Sequence, residues 1–462
     1  MRIEQDLMGQ MEIDKNAYYG IHTKRALENF HLSAVPIHPE LVAGLVVVKK
    51  AAAITNYQTG ALDKAISEVI VLACDEILSG SHLQHFVVDA LAGGAGTSAN
   101  MNANEVIANR AIELLGGTKG DYTLVHPLNH VNMSQSTNDV FPTALRIAAV
   151  RMLKPISELL SDLQTALQEK EEEFSDVLKV GRTQLQDAVP IMLGQEFGAW
   201  AQAISRDRWR IYKSEERLRQ VNIGGTAVGT GLNASKKYIF MMTQKLRELT
   251  GIGLARAEYM MDPTQNADVF VEVSGLLKTC SVNLCKIAND LRLLSSGPRC
   301  GFGEITLPPM QAGSSIMPGK VNPVIPEAIN GIAFKIMGLE QSITIAAQAG
   351  QLELNAFLPV IGQCMFEIMD LLKNGIRMFI DKCIKGIEAN RERCLELVSH
   401  SFVLVTALVG HIGYDKASYV AKRCLETGKS VQDIILEENI LEKDRANEIL
   451  NPLMMTRPGI PS

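Results

Sequence analysis

The sequence predicts a mainly α protein built around a central bundle of long helices. Three observations predict this. Hydrophobic residues fill 47% of the 462 positions but aromatics only 5%, so Leu, Ile, Ala, Val and Met must supply the core, a balance suited to helices packing on helices. Phe270, Val273, Leu277, Cys280, Leu284, Ile287, Leu291 and Leu294 alternate spacings of three and four without a break. Ala149, Leu153, Ile156, Leu160, Leu163 and Leu167 do the same. Such a seam, repeating about every 3.5 residues, marks helices that cross at a shallow angle.

Along the chain, the pattern before residue 140 is short and mixed. Helical stretches are expected at 39–58 and 62–79, separated by polar loops. The Ala149 seam follows, and Pro155 within it is expected to kink the helix, because proline removes a helical N–H. Further long helices are expected at 192–222, around the Phe270 seam, at 326–349 and at 360–388. After about 392 the helices are short, with turn signals at Gly410, Gly413 and Gly428. Three domains are therefore expected: 1–138, mixed but mostly helical; 139–392, the long-helix bundle; and 393–462, small and helical.

Bulk properties exclude several classes. The net charge of −6 gives no electrostatic footprint for nucleic acid. Apolar runs are broken by charges too often for a membrane span, and the first ten residues hold no apolar signal core. The eight cysteines include no CxxC pair, and a chain this long needs no disulfide staples. A reduced, cytoplasmic protein with buried thiols is expected.

The segment 297–326 holds five Gly and six Pro between two helical stretches. Compact proteins seldom keep so long a connection without a use for it. Its centre, GSSIMPGKVNP at 313–323, carries two adjacent hydroxyls (Ser314, Ser315), a cation (Lys320) and an amide (Asn322), with glycines on either side of the serines. This predicts a mobile lid that brings polar groups to a small anionic substrate.

Three other segments share its polar composition: GGAGTSANMNAN at 93–104, SQSTND at 134–139 and GRTQLQD at 181–187. Each is expected beside a helix start, where hydroxyls and amides cap the helix and free N–H groups point outward. Taken singly, each is a helix cap. Several such termini together would hold a small carboxylate with few cations. No dinucleotide site is expected, because 93–96 follows no β-branched strand and lacks GxGxxG spacing. No metal centre is expected either: His82 and His85 lack a third ligand, and there is no HExxH. They are expected on a solvated helix face, and His126 and His130 in a structural loop. No GxSxG elbow suggests a serine hydrolase. With no histidine in the four loops, the candidates for proton transfer are Ser314, Ser315, Lys320, Glu327 and a carboxylate such as Asp139. Glu327, just after Pro326, is expected in the first turn of a helix.

Together the four loops resemble the motifs of the fumarase/aspartase superfamily, in the same order and at similar distances. The resemblance runs from AYYGIHTKRALENF at 17–30 to the C-terminal region. It implies a three-domain fumarase/aspartase-like fold. AYYGIHT and the Ser-Thr-Asn-Asp at 136–139 look more like the aspartases than the fumarases. The resemblance therefore implies reversible conversion of L-aspartate to fumarate and ammonia. It implies no organic cofactor, and allows Mg²⁺ activation at a second site, as in some aspartases. It also implies a homotetramer whose active sites each take loops from three subunits. Ser314 matches the family's base. Thr97, Ser136, Thr137 and Ser315 match positions that bind the carboxylate next to the reacting carbon. Thr183, Lys320 and Asn322 match positions near the other carboxylate, and Asn138 one near the departing amine. Gln184 stands where fumarases and some aspartases place a histidine; it can hydrogen-bond substrate but cannot shuttle a proton, so Glu327 has no histidine to pair with. The alternative within the same family is fumarate hydratase or another fumarate–amine lyase.

Overall fold

Helices form where the seams predict them. The structure, a computed structural model, describes residues 1–459. It opens with the antiparallel hairpin β1 (Arg2–Asp6) and β2 (Gly9–Ile13), followed by α1 (Ile21–Asn29), α2 (Pro39–Gln58), α3 (Lys64–Leu78) and α4 (Thr97–Leu114). Next come α5 (Thr137–Glu173), the antiparallel pair β3 (Leu178–Thr183) and β4 (Gln186–Met192), and α6 (Leu193–Leu218). The short parallel strands β5 (Gln220–Val221) and β6 (Ala255–Arg256) lie on either side of α7 (Lys236–Thr250) in the chain. Then follow α8 (Asp262–Gln265), α9 (Asp268–Leu294), β7 (Ile305–Thr306), α10 (Val324–Gln348), α11 (Leu358–Lys382) and β8 (Glu388–Ala389), which pairs with β7. Six short helices, from α12 (Arg391–His400) to α17 (Pro452–Met455), complete the described chain.

Two compact units are present. The first holds residues 1–158, 208–281 and 334–373; the second holds 159–207, 282–333 and the chain from Asn374 onward. The boundaries fall inside the five long helices α5, α6, α9, α10 and α11. In the first unit, Arg146 of α5 lies 5.2 Å from the Phe270 ring of α9, Lys278 of α9 pairs with Glu340 of α10 at 2.6 Å, and Lys335 of α10 pairs with Glu367 of α11 at 3.1 Å. In the second unit, Phe174 at the end of α5 packs edge-on against Phe197 of α6, Asn283 of α9 bonds Asp207 of α6, and Arg292 of α9 bonds Asn330 of α10. Every residue of both predicted seams is buried. Truncating one of them, such as Leu284, to alanine would cost about 2–5 kcal/mol. α5 continues through Pro142 as well as Pro155 as one 37-residue helix.

Some expectations are corrected. His82 and His85 are not on a solvated helix face: they lie in and beside a 3-10 turn, with rings 4.4 and 5.0 Å from the Tyr18 ring. The helix expected over 360–388 stops at Lys382 and gives way to a 3-10 turn and β8. Six of the eight cysteines are buried, but Cys300 is exposed. No single helix among the described residues is long and apolar enough to cross a membrane.

Buried carboxylates tie down the first 100 residues. Glu105, 1% exposed, accepts from the N–H groups of Gly20 and His22 and from the Thr23 hydroxyl, which fixes the start of α1. Asp89 gathers the N–H groups of Leu32, Ser33, Ala34 and Leu91 and the Ser33 hydroxyl. Burial pushes the Asp89 carboxyl up, but these donors outweigh it and hold it at about 2, below its ordinary 3.8. A carboxylate depressed in the folded state stabilises the fold above its ordinary value and loses that contribution as pH falls toward its folded value. Asp89→Asn should therefore cost about 1–2 kcal/mol near neutral pH. The gap between the thermal midpoints of variant and parent should shrink below pH of about 4. A gap that stays constant down to pH 3 would contradict this.

Candidate active site

In the first unit, the sequence places four candidate residues at two helix N-termini. α4 begins at Thr97, after three consecutive left-handed residues, Gly94, Ala95 and Gly96. A Cβ on Gly96 would lie 2.3 Å from the Phe141 ring, so only glycine fits there. Residues 97–104, expected as loop, are the first two turns of this helix. Thr97 is exposed at its tip.

α5 begins at Thr137 with a reciprocal cap. The Ser136 Oγ accepts from the N–H of Asn138 at 3.2 Å, and Asp139 Oδ1 accepts from the N–H of Ser136 at 2.9 Å. This holds Ser136, Thr137 and Asn138 half-buried at one helix end. The Asn100 amide, one turn into α4, donates to Thr137 Oγ1 at 3.0 Å and so links the two termini. Asn138 donates its side-chain N–H to the Ala227 carbonyl at 2.8 Å.

Asp139 itself is 0% exposed. Burial pushes its carboxyl up to about 6, against three backbone N–H groups that favour the charged form. Fully buried and engaged, it cannot reach a substrate, which removes it from the proton-transfer candidates.

Two features of this region escape the sequence reading above. Lys49 of α2 is 0% exposed, and its ammonium donates to Asn132 Oδ1 at 2.8 Å and Gln135 Oε1 at 3.0 Å. Burial pushes it down to about 7. The available signal was a lysine inside the apolar run LVVVKKAAA. The second feature is the Gly-rich loop GGTAVGTG at 224–231, which meets both Asp139 and Asn138.

In the second unit, GRTQLQD is not beside a helix start. It forms the tip of the β3–β4 hairpin, with Thr183 paired to Gln186 and Gln184–Leu185 as the two-residue turn. Both turn residues have positive φ, +51° and +63°, the geometry that usually selects Asn-Gly. With no glycine there, local sequence gave no hairpin signal. Thr183 and Gln184 are exposed at the tip.

The other candidates of this unit lie between β7 and α10. Ser314 Oγ accepts from the backbone N–H groups of Ile316 at 3.2 Å and Met317 at 3.0 Å. The Gly313 N–H donates to the Lys320 carbonyl at 2.8 Å, and the Asn322 side chain donates to the Gly313 carbonyl at 3.0 Å. A Cβ on Gly313 would sit 2.7 Å from that Lys320 oxygen, so glycine is required for this closure. Ser315 and Lys320 are exposed, and Ser314 is half-buried. Glu327 lies in the first turn of α10, as expected.

The root of this loop is rigid. Glu304, 0% exposed, receives both oxygens' worth of contact from Arg182 Nη1 (2.9 and 3.0 Å) and lies 3.3 Å from Lys179 Nζ. The Arg182 guanidinium also stacks 4.3 Å from the Phe302 ring. Arg182 immediately precedes Thr183, so the same cluster fixes the hairpin and the loop root. Among the described residues, no three His, Cys, Asp or Glu side chains converge in a way that could hold a metal ion.

The chain matches the model of a family described as "Lyase" over residues 9–338 and that of the fumarase C C-terminus over 404–457. It is 49% identical to an aspartate ammonia-lyase of Bacillus subtilis, covering 99% of this chain and 97% of that one. It is 47% identical to the aspartate ammonia-lyase of Escherichia coli over the same shares. Among solved structures, it superposes at a TM-score of 0.96 on a Brucella melitensis fumarate lyase:delta crystallin bound to cobalt, at 47% identity, covering 99% of this chain and 100% of that one. A class II fumarase from Schistosoma mansoni gives the same TM-score at 35% identity, covering 99% of each chain.

Proposed function

The chain belongs to the fumarase/aspartase superfamily of lyases, and from that premise we propose that it converts L-aspartate reversibly into fumarate and ammonia. The observation that carries this is its 47–49% identity, over nearly their whole length, to relatives named for that reaction. The fumarase that shares the fold is more distant, at 35%.

The chemistry assigns the roles. A proton on Cβ of aspartate lies beside a carboxylate and is very weakly acidic. Removing it puts a second negative charge on that carboxylate, giving an aci-carboxylate. The electron pair then forms the Cα–Cβ double bond as the C–N bond breaks, and the amine leaves as ammonia. Ser314 is the base: the proton moves to its Oγ and is later released to water. A serine oxygen acts as a base only when its oxyanion is stabilised, and the two N–H groups aimed at Ser314 Oγ support that role. Thr97, Ser136, Thr137 and Ser315 donate to the aci-carboxylate. Thr183, Lys320 and Asn322 hold the other carboxylate, Asn138 meets the amine, and Gln184 hydrogen-bonds substrate. Closure of the 313–323 loop delivers the base and expels water. Only a proton and an amine move, so the reaction needs no organic cofactor.

The working assembly is a homotetramer with shared sites. Its support is the large apolar side chains left exposed on the long helices: Trp209 and Tyr212 of α6, Val282 and Leu293 of α9, and Phe334 and Ile345 of α10. Light scattering should return four times the 50.5 kDa chain mass. Mixing Ser314→Ala chains with Asn138→Ala chains, each weakened on its own, should give more activity than the two give separately; a mixture no more active than the sum of its parts would contradict shared sites. The function is tested in reverse. Fumarate with an ammonium salt should yield aspartate, and fumarate in water alone should yield no malate. Malate formation without aspartate would replace this proposal with fumarate hydration.

A further inference from the structure

We propose that Asp139 is a positioning residue for amine recognition, acting through the 224–227 loop to fix which end of the Asn138 amide faces the substrate. The proposal deepens the function above and rests on Asn138 meeting the amine.

The contacts form a closed circuit. Asp139 Oδ1 accepts from the Ser136 N–H at 2.9 Å, which anchors it to the start of α5. Its other oxygen, Oδ2, accepts from the N–H groups of Gly224 at 3.0 Å and Thr226 at 2.9 Å. That places the next carbonyl, on Ala227, where the Asn138 side chain donates to it at 2.8 Å. The Asn138 backbone carbonyl is held in turn by Asn222 Nδ2 at 3.0 Å, and Asn222 also bonds Thr264 Oγ1 at 2.8 Å. The loop is shaped for this path: Gly224 and Thr226 both lie in the left-handed region, with φ of +91° and +55°. A Cβ on Gly229 would come within 2.4 Å of the Met261 nitrogen, so the loop packs with no slack.

The consequence is chemical. An asparagine amide presents a donor at one end and an acceptor at the other. A carbonyl can only accept, so Ala227 commits the Asn138 NH₂ and leaves Oδ1 to face outward. A substrate ammonium has only N–H donors and requires an acceptor. Without the Ala227 carbonyl at that point, the amide is free to turn its NH₂ toward the ammonium, and the contact is lost. Asp139 enforces the arrangement because a carboxylate, unlike an amide, can accept from all three N–H groups at once.

The test separates amine binding from fumarate binding in the reverse reaction. Asp139→Asn must bring an NH₂ against at least one of the three N–H groups. It should raise the KM for ammonium at least about tenfold while the KM for fumarate moves less than about threefold. Asp139→Glu, an acid suited to the same cap, should fold normally and show the same split to a smaller degree. If Asp139→Asn gives no folded protein, the Glu variant decides on the same readout. Equal rises in both KM values, no change in either, or failure of both variants to fold would overturn the positioning role. Asn138→Ala, measured alongside, tells the two ideas apart. If it raises the KM for fumarate instead of ammonium, the amine role of Asn138 fails. If it raises the ammonium KM while the Asp139 variants do not, Asp139 alone is excluded.

Discussion

Ser314→Ala should lower turnover of aspartate by about a thousandfold or more while leaving the fold and substrate affinity nearly intact. A thousandfold is about 4 kcal/mol of lost transition-state stabilisation. The expectation follows from local geometry. Ser314 Oγ sits under two backbone N–H groups, from Ile316 and Met317, in a loop closed by the Gly313–Lys320 and Asn322–Gly313 bonds. Donors aimed at a hydroxyl oxygen stabilise its deprotonated form far more than its neutral one. Alanine removes the oxygen but not the loop closure, which runs through backbone and Asn322. Circular dichroism should therefore be unchanged, and kcat should fall with little change in KM. Near-normal turnover would remove Ser314 as the base. A parallel loss of fold would show that its N–H contacts matter for structure instead.

The largest stability effect should come from Glu304→Ala. Its carboxylate is fully buried between Arg182 and Lys179, and Lys179, 1% exposed, also reaches Glu196 at 2.8 Å. Removing the Glu304 carboxylate strips the mostly buried Arg182 guanidinium of its partner and leaves Lys179 with Glu196 alone. Breaking a buried ion pair from one side costs about 3–5 kcal/mol. The Glu304 backbone also receives the Asn390 N–H at 2.9 Å, so the loop root is tied to the chain around β8. Activity should fall along with stability, because Arg182 adjoins Thr183 and Phe302 adjoins the loop. Glu304→Gln keeps the shape but loses the charge and should be almost as damaging. Urea denaturation of the three proteins checks this; a loss under about 1 kcal/mol for Ala would mean that water replaces the carboxylate at no cost.

The helices were legible because their signal is local and repeated. α2 was bounded correctly at 39–58, and α9 could be read from eight successive seam residues. The two hairpins were not. β1 and β2 are five residues each, and β3–β4 turns on Gln184–Leu185, which carry no turn signature although both adopt positive φ. Lys49 and Asp139 show a second limit. A buried charge is specified by acceptors or donors far away in sequence: Asn132 and Gln135 for Lys49, Gly224 and Thr226 for Asp139. Nothing near either residue encodes these distant partners; only the Ser136 N–H that Asp139 also accepts lies close in sequence. The polar loops stood out by composition, but composition alone could not tell the helix start at Thr137 from the hairpin tip at Gln184. The 224–231 loop had a readable glycine density, and its contact with Asp139 required the fold.

The most direct measurement offers L-aspartate and L-malate separately to the purified protein, following fumarate by ultraviolet absorbance and ammonia in parallel. Fumarate and ammonia should appear in equal amounts from aspartate, with little fumarate from malate. Fumarate from malate alone, or none from either substrate, would contradict the assignment.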